Sequence, residues 1–161
     1  MGSIGAMKTR KTFGLTLALC FLASTACFAA NPQMGTWKLN EAKSKLARGM
    51  GKNGTVVYSS FLGTVKVTVD GTLANGKPGH NEWKGKFDGK YYPVTGDPIS
   101  DARSYKKVND NTLDMSVQKG GKVTASGRIV VSADGKTRTV TVMGKDAKGK
   151  KFKSVGVYDK A

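Results

Sequence analysis

The chain is 161 residues long, 39% of them hydrophobic and 24% charged, with 27 basic against 11 acidic residues and a formal net charge of +16. Those values suit a single domain with an ordinary buried core, and no run approaches the ~18 apolar residues of a membrane helix. One histidine and two cysteines, Cys20 and Cys27, leave zinc sites and Ser-His-Asp or Cys-His catalytic sets without their parts. No enzyme activity, metal or cofactor is expected on this composition.

The chain opens as a targeting segment. Lys8, Arg10 and Lys11 form a basic n-region, Phe13 to Leu22 an apolar h-region, and small residues lead to a cleavage point after Ala29. Residues 1–29 are therefore read as a signal peptide and 30–161 as one barrel domain in the periplasm or outside the cell. Acylation at Cys27 is the weaker alternative, because Ser24 stands where a lipoprotein signal wants an aliphatic residue. Taking the three leader cations from the 27 basic residues leaves 24 against 11 acidic ones, about +13. Both cysteines leave with the leader, so the domain has no disulfide to lean on.

After the leader comes Gly35-Thr36-Trp37, the start of a first strand over 35–39. Asn40 can cap a short helix over 41–48, with Glu41 in its first turn and Gly49 and Gly51 at its end. Beyond it, alternation of period two predicts strands near 55–61, 64–74, 80–87, 90–95, 102–108, 112–118, 122–131, 136–143 and 151–159. The clearest is Thr64 to Asp70, with Val65, Val67 and Val69 on one face. Asn75-Gly76, Asp88-Gly89, Gly120-Gly121 and Asp134-Gly135 supply the positive φ of tight hairpins, and Gly96-Asp97-Pro98 marks a corner.

Ten sequential strands predict an all-β, antiparallel up-and-down β-barrel with a short helix between strands one and two. Closure removes the edges that an open sheet would expose. At this strand number the interior is wider than side chains alone fill, which predicts a cavity. A two-sheet sandwich is the competing arrangement.

The opening Gly35-Thr36-Trp37-Lys38-Leu39 and the closing Val157-Tyr158-Asp159-Lys160-Ala161 resemble intracellular fatty-acid-binding proteins, and Gly35-x-Trp37 also resembles the lipocalin motif. Tyr92 to Pro98 and Ser132 to Thr137 are similar to secreted bacterial lipocalin-like proteins without an assigned function. The resemblance implies a calycin-type barrel that Gly35 and Trp37 help to close. Two departures qualify it. Gly156 stands where the fatty-acid binders place the arginine of an Arg-x-Tyr clamp, and the last strand offers only Lys151 and Lys153 to cover Trp37, where lipocalins use an arginine.

The expected function is to hold a small amphipathic or hydrophobic ligand inside the barrel. Its expected lining is Tyr58, Trp83, Tyr91, Tyr105, Met115, Arg138 and Tyr158. Arg138 shares parity with Val140 and Val142 and so turns inward, where its charge calls for a carboxylate or an anionic ligand; a one-residue slip would turn it out. The alternative is a basic module docking onto anionic lipid, polysaccharide or an acidic protein through Lys145, Lys148, Lys150, Lys151 and Lys153, with no specific nucleic acid expected. His80 with Glu82, and Asp97 with Asp101, read as solvated surface and turn caps.

Overall fold

The computed structural model describes residues 31–146 and 148–161; the leader, its cleavage point and Cys27 lie outside the described residues. Ten strands follow in order: β1 (Gly35–Leu39), β2 (Lys52–Phe61), β3 (Thr64–Thr72), β4 (Pro78–Gly85), β5 (Asp88–Thr95), β6 (Ala102–Asn109), β7 (Thr112–Lys119), β8 (Lys122–Val131), β9 (Thr137–Lys145) and β10 (Lys151–Lys160). Each pairs antiparallel with its sequence neighbour, and β1 pairs with β10, so the sheet is a closed barrel. The predicted strands agree to within a few residues at each end.

Two local expectations are corrected. The helical piece is a 3-10 turn of Glu41–Lys43, not a helix reaching Arg48. Asn40 does cap it, but the Ser44 hydroxyl donates to the Asn40 carbonyl at 2.7 Å and accepts from the Val157 amide at 2.9 Å. Lys45 then exchanges two backbone hydrogen bonds with Val155. The next helical turn would need those same backbone groups, and the edge of β10 takes them first. Asp88-Gly89 is not a hairpin turn but a bulge inside β5, where the register shifts between Asp88 and Tyr91 and Gly89 has φ +81°.

One end of the barrel, here the base, carries the chain's entry at Asn31 to Met34 and the tips between β2–β3, β4–β5, β6–β7 and β8–β9. The other end, the mouth, carries residues 40–51 and the remaining connections. Burial concentrates toward the base. Trp37, Tyr58, Val67, Trp83, Tyr105, Leu113, Ile129 and Val131 are buried there with Tyr158. Trp37 is fully enclosed and its indole donates to the Gln33 carbonyl at 3.0 Å, while Gln33 donates to the Asn111 carbonyl at 3.0 Å. Trp37 is thus packed into the base, two residues after Gly35 opens β1. Lys151 and Lys153 do not cover the tryptophan; Lys160 does, its Nζ 5.0 Å from the ring centroid, with Arg138 at 5.9 Å.

β4 and β5 are joined by only two register pairs, Glu82 with Thr95 and Trp83 with Val94. A hollow of about 260 Å³ lies there, lined by Glu82, Trp83, Lys84, Pro93 and Thr95. The β1–β10 seam is short as well, with three pairs, and on β8 and β9 glycines let neighbouring strands approach closely. A Cβ on Gly127 would sit 2.2 Å from the Thr141 carbonyl oxygen, so only glycine permits that approach.

The outer wall is laced by ion pairs: Arg128 grips Asp114 through two nitrogens at 2.7 and 3.2 Å, and Lys66 meets Glu82 at 2.5 Å. These partners hold both carboxylates below their ordinary pKa. Hydrogen bonding from Asn40 and then Lys43 does the same for Asp159. A depressed carboxylate pKa contributes stability above the unfolded value, and that contribution is lost as pH falls through the folded value. Thermal melts followed by circular dichroism should therefore be flat in this respect above about pH 5 and fall below about pH 4. A melting temperature that rises on acidification through that window would contradict the assignment.

Candidate functional site

The inner face of β7–β10 forms level rows across the sheet. Nearest the base, Val131, Arg138 and Tyr158 stand side by side; next come Leu113, Ile129, Val140 and Gly156. Above them lie Met115, Gly127, Val142 and Ser154, then Val117, Ala125, Gly144 and Phe152. The lower rows are mostly buried. Every residue of the upper two rows is only half-buried, although all point inward in a closed barrel. These two rows are mainly apolar, and they mix the large Met115 and Phe152 with valine, alanine and glycine. Gly127 has a structural task too, since a Cβ there would meet the Thr141 carbonyl oxygen.

Below these rows, toward the base, is Arg138, 3% exposed. The inward turn predicted from parity holds because the β9–β10 register runs without a slip from Lys145 to Thr137. Its Nη2 donates to the Tyr58 hydroxyl at 2.5 Å, and its guanidinium lies 4.3 Å from the Tyr58 ring centroid and 5.9 Å from those of Trp37 and Tyr158. Nε and Nη1 are buried without a partner. No carboxylate reaches it among the described residues. Nor can Tyr58 serve as its counter-ion. Burial drives the Tyr58 pKa far above the ordinary phenol value, outweighing the pull of Arg138, and burial raises Tyr158 likewise. Arg138 therefore carries a positive charge whose local neutralisation is left to aromatic faces.

A second guanidinium, which sequence reasoning missed, sits higher. Arg103 on β6 is 8% exposed; its Nη2 lies 3.3 Å from Asp97 Oδ2 and its Nη1 donates to the Tyr105 hydroxyl at 3.4 Å. Burial opposes its charge, but Tyr105 and Asp97 outweigh that and keep its pKa above the ordinary value. Asp97 also accepts from the Ile99 amide at 3.0 Å and from Ser100 Oγ at 2.5 Å. It caps the corner as predicted, yet its second task is to neutralise Arg103. Asp101 takes no part in a carboxylate pair; it accepts from the Gly120 amide at 2.7 Å.

Of the predicted lining, Tyr58, Trp83, Tyr105, Met115, Arg138 and Tyr158 face inward, Met115 half-buried against the core. Tyr91 is the correction. It stands on the outer wall, 39% exposed, and its hydroxyl donates to Ser116 Oγ at 2.7 Å. Adjacent tyrosines in a strand face opposite ways, and the bulge at Gly89 sends Tyr92 to the core side, edge-on to Trp83 at 5.8 Å. Trp83, Phe87, Tyr105 and Tyr58 form a continuous ring cluster, with Trp83 and Tyr105 edge to face at 4.8 Å.

The basic residues Lys145, Lys148, Lys150, Lys151 and Lys153 are all exposed at the mouth, with Lys145 and Lys151 register partners. Lys153 also joins Lys43, Lys45 and Val155 around an external hollow of about 530 Å³. His80 is exposed on the outer wall, 2.7 Å from Asp70 and 3.9 Å from Glu82. No group of three or more His, Cys, Asp or Glu is placed to hold a metal among the described residues.

No protein-family model and no curated protein matches the sequence. Solved structures do. A redesigned β-barrel, mFAP1, bound to DFHBI, is 16% identical over 80% of this chain and 95% of that one, with a TM-score of 0.42. A second, EF1p2_mFAP2b bound to DFHBI, is 14% identical over 83% and 97%, with a TM-score of 0.46.

Proposed function

We propose that this barrel carries a small amphipathic anion, its apolar body against the upper interior wall and its charged end on Arg138. We read it as an exported member of the lipocalin-like barrels, with a carrier's role and no catalysis. One observation carries the reading. Arg138 is buried, charged, without a carboxylate among the described residues, and retains two unpartnered nitrogens at the foot of a half-buried apolar wall. Such a group is costly unless something neutralises it, and an anionic ligand end supplies that neutralisation. In place of the arginine that Gly156 lacks, Arg138 stands directly across from Tyr158 in the register.

The test is Arg138→Met. Replacing a buried uncompensated charge by an apolar side chain of similar length should leave stability unchanged or raise it by about 1–4 kcal/mol. The same change should weaken binding of 8-anilinonaphthalene-1-sulfonate, an apolar bicycle with one sulfonate, by tenfold or more in a fluorescence titration at physiological salt. Undiminished dye binding in a folded Arg138→Met protein would sink the proposal. Native mass spectrometry of protein purified from its producing cells then looks for the natural occupant.

A second reading has its own observation. Lys43, Lys45 and Lys153 ring the external hollow next to Lys145, Lys148, Lys150 and Lys151. In that reading the mouth docks on anionic envelope material, and the contact weakens steeply with salt.

A further inference from the structure

A donor and an acceptor on the inner face remain that an anion on Arg138 does not serve. Asn81 on β4 is the register partner of the buried Val69, so its side chain shares the inner face. Its Oδ1 is buried without a hydrogen-bond partner. Arg103 on β6 commits Nη1 to the Tyr105 hydroxyl and Nη2 to Asp97, which leaves its Nε–H buried and unpartnered. The two residues adjoin the same corner. Trp83, two residues after Asn81 on that face, donates to the Arg103 carbonyl at 2.9 Å. A Cβ on Gly96 would lie 3.4 Å from Asn81 Cα, and Asp97, the next residue in the chain, holds Arg103.

The chemistry wanted here differs from that at Arg138. Asp97 already neutralises Arg103, so a second anion at this corner has no charge to meet. What fits is an uncharged group that both accepts and donates, and an alcohol hydroxyl does so with one O–H and two lone pairs. A bare alkyl chain would leave both protein groups desolvated and unpaired. The distance from the acid is bounded as well. Tyr58, which accepts from Arg138, packs edge-on against Tyr105, which accepts from Arg103. Two touching phenols bridge the guanidiniums, so the hydroxyl belongs within a few carbons of the acid group.

We propose that the occupant is an amphipathic monoanion with a hydroxyl close to its acid group, the acid on Arg138 and the hydroxyl on Arg103 Nε and Asn81 Oδ1. The proposal rests on the anion-carrier reading above, and it makes Arg103 and Asn81 the residues that set specificity.

The test is isothermal titration of the parent chain and of Asn81→Val with decanoate, 3-hydroxydecanoate and 10-hydroxydecanoate. In the parent, 3-hydroxydecanoate should bind about tenfold or more tightly than decanoate, the scale of one hydrogen bond to a charged group, and 10-hydroxydecanoate should show no such gain. Valine suits a strand position opposite Val69 and removes a buried unpaired acceptor, so Asn81→Val should fold with an equal or higher melting temperature. Its affinity for decanoate should be unchanged, with the advantage of the 3-hydroxyl reduced to about threefold or less. If none of the three acids binds, the carrier reading falls and this inference with it. If decanoate binds and the 3-hydroxyl adds nothing, the inference alone falls, and solvent serves the two groups. An equal gain from 10-hydroxydecanoate, or an undiminished advantage in Asn81→Val, also overturns it.

Discussion

Asp97→Ala is expected to destabilise the protein by about 3–5 kcal/mol, the cost of leaving a buried guanidinium without its carboxylate. The side chains of Arg103 and Asp97 are only 10% and 12% exposed, so water cannot take over what the aspartate provides. The same substitution removes the acceptor for Ile99 and Ser100, which releases the corner between β5 and β6. Against a typical total of 5–15 kcal/mol, a loss of this size brings the fold near its limit. Urea denaturation checks the number, and a double-mutant cycle with Arg103→Met apportions it. Once the arginine is gone, removal of Asp97 should cost only its role as a cap, of the order of 1 kcal/mol. If Asp97→Ala costs less than about 1 kcal/mol, the pair is not the electrostatic anchor described here.

Trp83→Ala should be as severe, at about 3–5 kcal/mol, for a different reason. The indole is 1% exposed, meets Tyr105 edge-on at 4.8 Å and Tyr92 at 5.8 Å, and lies parallel to Phe87 at 6.5 Å. Its Nε1 donates to the Arg103 carbonyl at 2.9 Å, which ties the ring cluster to the strand holding the second guanidinium. Truncation leaves a cavity among rings too stiff to collapse into it. Trp83→Phe separates the contributions, keeping most of the apolar volume while losing the hydrogen bond, and should cost distinctly less than alanine. Equal losses for phenylalanine and alanine would place the energy in the hydrogen bond and not in the packing.

Strand positions were legible because alternation and turn chemistry are local. Thr64 to Asp70 announces its inner face without help from the rest of the chain. The segment after Asn40 was not, because the groups that stop the helix at Lys43 belong to Val155 and Val157, more than a hundred residues away. Arg138 could be read as inward from Val140 and Val142. Arg103 could not, since Ala102 to Lys107 is polar on both faces and gives no parity signal. The one available clue was Arg103-x-Tyr105, two side chains that share a face and now share a hydrogen bond. Tyr91 is misplaced because aromatic character alone does not choose a face, whereas alternation back from Val94 through Tyr92 turns Tyr91 outward.

The two-pair junction between β4 and β5 sets how this barrel comes apart. A cylinder closed by so few pairs at one place is mechanically a sheet held by a clasp, and local opening is expected to begin where the pairing is thinnest. The opened form would keep the ladders elsewhere and gain two unpaired strand edges, β4 and β5. Unpaired edges recruit other chains. The population of that opened form, more than full unfolding, then sets how long concentrated solutions of this protein stay clear.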